Sequence, residues 1–164
     1  GDRVEPFERL DKSFQSAFGI EPQIRLRAIT KKQCPVVEFA HVSKSQMAFA
    51  LKSDLLKAGE PVEASLTRVT AENVGVFVVT PDGIIVNVTS MSSRYEDEIT
   101  IQIPNEALAS KAGGEYLLLA VASDKPLASL DVKSARDAAG FLESLRQEGQ
   151  GSTVMSAVKY LRKK

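Results

Sequence analysis

One cysteine, one histidine and no tryptophan leave this chain of 164 residues short of the side chains on which much chemistry depends. Cys34 alone closes no internal disulfide, and with the single imidazole of His41 it falls short of an ordinary zinc site. No GxSxG elbow accompanies His41, so a hydrolase triad would need an unmarked serine and carboxylate. Phosphate loops are missing too. The pair Gly113–Gly114 fits neither GxxxxGK[ST] nor GxGxxG, and serves to turn the chain into the strand that follows. No cofactor is expected. Neither sign of charge is in excess, with Lys+Arg and Asp+Glu at 21 each. Nucleic-acid binders carry a basic bias that this balance lacks. A local basic patch stands at "KYLRKK", 159–164. Aromatics are few, and the phenylalanines fall mostly in helical stripes, which is core usage rather than a base-stacking platform. No nucleic-acid partner is expected. No apolar run nears the ~20 residues that cross a bilayer, so no membrane insertion is expected of this chain. No signal-peptide pattern is read in the opening residues, and the first of them is not methionine. "GDRVEPFERL" is therefore expected to open a processed or excised piece of a longer protein.

What is present is material for a packed core: 43% hydrophobic and 26% charged residues. Pro6 and Gly19 bracket a first helix over 6–18, with Phe7, Leu10, Phe14 and Phe18 on one face and expected to point into the core. "QIRLRAIT" alternates Ile24, Leu26 and Ala28 with Gln23, Arg25 and Arg27, the pattern of a half-exposed strand. "KQCPVVEFAHV" reads as a short helix with Pro35 in its first turn. Residues 1–43 thus form a partial α/β subdomain, helix-strand-helix. A polar joint, "SKSQ", leads into a second unit, 44–164. There, "MAFALKS", "PVEASLTRV", "NVGVFVVT", "GIIVNVTS", "EITIQIP" and "EYLLLAVAS" are short, β-branched and bounded by turn residues. "EYLLLAVAS", apolar almost throughout, is expected to be a central strand covered on both faces. Residues 134–148 form a helix, capped by Ser134 and ended by Gly149, with Ala135, Ala138, Phe141, Leu142 and Leu145 as its apolar stripe. The tail 152–164 fits either a helix or a strand. A sandwich's need for a seventh strand favours the strand. The fold class is α+β, mainly β: an antiparallel sandwich of about seven strands, immunoglobulin- or transthyretin-like, with a C-terminal helix.

"VFVVTPDGIIVNVT" reads as a core hairpin, with Asp82 and Gly83 displayed at its tip. Its "NVT" has the form of a glycosylation acceptor, but lies in an expected strand. "RYEDE" sets Glu96, Asp97 and Glu98 in a row, a weak Ca²⁺ or acid–base cluster whose commoner use is a solvated loop. The candidate interaction residues are two charged clusters beside apolar strands: Arg25 with Arg27, and Arg94 with Glu96, Asp97 and Glu98.

"LKAGEPVEASL", "VFVVTPDGIIVNVT" and "GGEYLLLAVASDKPL" together resemble a bacterial β-sandwich domain of unknown function. The resemblance rests most on Gly114, Glu115, Leu118, Leu119, Ala120, Ser123, Pro126 and Leu127. That family is found C-terminally in serine/threonine kinase-like and caspase-like multidomain proteins. It brings no catalytic residues and implies a non-catalytic sensory or protein-interaction module, binding a protein or a cell-envelope ligand. The resemblance further implies that Cys34 pairs with a cysteine upstream in the parent chain. The module would then be periplasmic or extracellular rather than cytoplasmic. Two other readings are a structural subunit of an envelope assembly and a small hydrolase built on His41 with the Glu96–Glu98 cluster.

Overall fold

Two periodicities decide the architecture. Segments that alternate strictly bury one face, and segments that are apolar throughout must bury two. In a computed structural model, which describes residues 5–19, 27–43, 46–57, 59–108 and 114–163, these segments separate into two sheets. The first is built from β1 (Ala48–Leu51), β3 (Val62–Thr67), β7 (Glu98–Ile103) and β6 (Ser92–Tyr95), in that order and antiparallel throughout. The second runs β2 (Leu55–Leu56), β10 (Val154–Lys163), β8 (Gly114–Ser123), β4 (Asn73–Val79), β5 (Ile84–Asn87) and β9 (Arg136–Asp137). It is antiparallel except where β2 joins β10 in parallel. The described residues therefore hold ten strands, not seven, in two sheets rather than a closed barrel. The three additional strands, β2, β6 and β9, are two to four residues long and all lie at sheet edges. They carry too little alternation to register as strands in sequence.

Between the sheets lies one apolar layer. Leu66, Ile99, Ile101 and Ile103 of the four-stranded sheet meet Val76, Val78, Tyr116, Leu118, Ala120 and Leu161 of the six-stranded one. A second layer covers the other face of the six-stranded sheet. There Phe77, Leu117, Leu119 and Val121 pack beneath α2 (Cys34–Val42) and α3 (Ala138–Glu148). Phe77 and Phe141 meet at a tilt of 57°, with ring centroids 4.8 Å apart. The strand β8 contributes to both layers, as its unbroken apolar run requires. Its central position, and the strand assignment of the tail, match expectation. α2 shares the second layer with α3 and β10, so the polar joint at 43–46 separates two elements that serve one core.

α3 begins later than its sequence pattern suggests. Ser134 and Ala135 are exposed and precede the helix. The cap is Asp137, whose carboxylate accepts from the N–H groups of Ala139 (3.2 Å) and Gly140 (2.8 Å). The delay has a cause. Arg136 and Asp137 pair with Ile85 and Ile84, and Ala138 N–H donates to the Gly83 carbonyl at 2.8 Å, which holds the chain extended up to the cap. The first helix, α1 (Glu5–Phe18), forms as expected, but its aromatic stripe does not face a core where it can be followed. Phe14 and Phe18 are 41% and 63% exposed, and their rings meet at a tilt with centroids 4.7 Å apart. Their four-residue spacing brings them together on the helix surface, and that pairing replaces burial. Phe7 and Leu10 lie outside the described side chains. Of the expected strand at 23–30, residues 23–26 lie outside the described residues, and residues 27–30 are not in a strand.

The hairpin of β4 and β5 turns through Thr80–Gly83, closed by Gly83 N–H to the Thr80 carbonyl at 2.9 Å. Gly83 is buried rather than displayed. Its φ of +76° suits glycine, and an added Cβ would stand 2.5 Å from Lys32 Cβ. Only Asp82 is exposed at the tip. The turn before α2 docks here through Gln33, which is fully buried. Its amide nitrogen donates to the carbonyls of Thr80 (3.1 Å) and Glu115 (2.8 Å), while its oxygen accepts from Thr30 N–H (3.0 Å). Thr30 Oγ1 adds a bond to the Pro81 carbonyl at 2.8 Å. One amide thus ties together three segments far apart in sequence.

Candidate functional site

The charged groups that converge do so where β8, β10 and β2 come side by side. Glu115 lies at the start of β8, and Arg162 is directly opposite on β10. Arg162 Nε donates to Glu115 Oε1 at 2.9 Å. Arg27, reaching in from the segment before α2, places a guanidinium nitrogen 3.8 Å from the same oxygen and also pairs with Asp54. Asp54 sits in the turn that leads into β2, and its carbonyl accepts from Arg162 N–H at 2.8 Å. Glu115 is only 7% exposed, so its charge is held in place by the two guanidiniums rather than by water. Its second oxygen, Oε2, is buried and accepts no hydrogen bond from the described residues.

Beside this network opens a cleft of about 580 Å³, lined by Arg27, Leu51, Lys52, Ser53, Asp54, Lys159 and Tyr160. Three of those residues are cations and one is an anion. Lys52 is engaged with Glu63 at 2.9 Å. Tyr160 is partly buried, and that burial pushes its phenol pKa up, against a smaller downward pull from Arg27. The phenol is therefore a neutral hydrogen-bonding group across the physiological range. Ser53 Oγ is bonded to the Leu55 backbone, both as donor to the carbonyl (3.2 Å) and as acceptor from the N–H (3.1 Å). A second cleft of about 460 Å³ shares Lys52 and Ser53 and continues over Leu56, Lys57, Glu60 and Pro61. The arrangement offers cationic and phenolic contacts to a ligand.

Of the residues singled out from sequence, Arg27 belongs to this network, and Arg25 lies outside the described residues. The Arg94 cluster is elsewhere and is spent on the fold. Arg94 donates to the carbonyls of Val69 (2.9 Å), Ala71 (2.8 Å), Glu72 (3.2 Å) and Glu96 (3.0 Å), pinning the 69–72 loop onto the β6–β7 hairpin. Glu96 and Asp97 form the exposed tip of that hairpin, and Glu98 opens β7. Among the described residues no group of three or more His, Cys, Asp or Glu side chains is arranged to hold a metal. Tyr95, beside this tip, is 79% exposed. Cys34 is a free thiol at the first residue of α2, half-buried against the second core layer, with its Sγ 3.5 Å from the Thr30 carbonyl. His41 is exposed in the last turn of the same helix. Asn87 spends its side chain locally, donating to the Leu130 carbonyl at 2.8 Å and accepting from Thr89 N–H at 2.9 Å. No described helix is long and apolar enough to cross a membrane.

Glu115, Asp54, Lys159 and Tyr160 were not anticipated as a group. One signal was legible: Glu115 is the only charge in an otherwise apolar strand, and a buried charge needs a partner. Its partner Arg162 falls in the basic patch at the end of the chain. No family model, curated protein or solved structure matches this chain.

Proposed function

We propose that this chain is a non-catalytic recognition module that binds another protein or a cell-envelope ligand. The observation that carries the reading is the cationic cleft at Arg27, Lys52 and Lys159. It is open to solvent, and Arg27 is held in position there by Asp54 and the buried Glu115. Its lining recognises charge, and its one serine hydroxyl is bonded to backbone rather than to a base. The hydrolase alternative draws less support: no described side chain hydrogen-bonds to His41, and Glu96–Glu98 lie on a hairpin tip of the other sheet.

The resemblance noted in the sequence supports, as the parent, a larger bacterial signalling protein, kinase-like and outside the cytoplasm. It also carries the immunoglobulin- or transthyretin-like sandwich into this reading. Cys34, half-buried at the start of α2, would then pair with a cysteine elsewhere in the parent. Photo-cross-linking in the producing cells tests the recognition reading, with the reactive group at position 53 in one variant and 100 in another. A discrete adduct with a second macromolecule from position 53 is the expected result. No adduct from either position overturns the module reading, and a ladder of self-adducts with a fixed oligomeric mass favours an assembly subunit. Thiol labelling of Cys34 in the full-length protein decides the compartment: protection released by reductant supports the outside location, and a reactive thiol opposes it.

A further inference from the structure

We draw no further inference here: the strongest candidate, the groove of about 370 Å³ between β5 and the short turn Asn105–Leu108, lined by Ile84, Val86 and the exposed Asp82 and Glu106, carries nothing, because residues 109–113, which follow Leu108, lie outside the described residues and nothing in the structure shows what covers it.

Discussion

The six-stranded sheet is packed on both faces, the four-stranded sheet on one, and the strands differ accordingly. β7 reads Glu-Ile-Thr-Ile-Gln-Ile, with Ile99, Ile101 and Ile103 in the core and Thr100 and Gln102 in solvent. β3 follows the same rule, with Val62, Ala64 and Leu66 buried. β8 has no such freedom: every residue from Glu115 to Ser123 is buried. A strand with two covered faces can hold a charge only where partners reach it. Glu115 sits at the strand's end, where Arg27 and Arg162 do. The sheet that bears the helices also bears the cleft. Ordinary solvation accounts for the polar outer face of the other sheet.

The sharpest way to break this comparison is to truncate one side chain on the outer side of each sheet. Phe141→Ala, beneath α3 and against Phe77, should cost about 4 kcal/mol by urea unfolding, since it leaves a cavity between helix and sheet. Thr100→Ala, on the open face, should stay within about 0.5 kcal/mol. Equal losses would mean that the four-stranded sheet is covered too, or that α3 contributes little to the core.

The next effect is smaller and concerns how α2 is attached. Gln33→Leu keeps the volume but leaves the carbonyls of Thr80 and Glu115 and the N–H of Thr30 without that partner. Buried groups so stranded cost ~1–3 kcal/mol each, and partial relaxation brings the expected loss to about 3 kcal/mol. Far-UV circular dichroism should show the sheets intact below the transition. A change under 1 kcal/mol would mean that apolar contacts of Val36 and Phe39 alone hold the helix to the sheet.

The alternating and fully apolar strands were legible because periodicity reports burial directly. So was the hairpin of β4 and β5, because turn chemistry between two apolar runs admits few alternatives. Long-range demands were harder to see. Ser134 is a sound cap by local rules, yet the chain at Arg136 and Asp137 is held extended by β5, and Asp137 takes the role. Gln33 gives no local sign of its three partners, because they lie on turns and strands distant in sequence. The cleft was half-legible. Arg27 stood out as a charge beside an apolar pattern, but the pairing of Glu115 with Arg162 depends on the β8–β10 register, which no single segment encodes.

The smallest expected effect tests whether the side of the sandwich that carries the cleft is as enclosed as its lining implies. Burial raises the Tyr160 pKa above the ordinary tyrosine value of 10.0, with Arg27 opposing in part. A raised pKa in the folded chain means that the unfolded chain loses this proton first as pH climbs. Between the two values the native state binds more protons, so stability falls with rising pH. The contribution is complete below pH 10 and is lost as pH passes through the folded value. Tyr160→Phe should therefore flatten the alkaline limb of the stability curve above pH 10 and leave its slope near neutrality unchanged, read by urea unfolding at a series of pH values. An unchanged alkaline limb in the variant would place the Tyr160 phenol in water, and with it the inner wall of the cleft.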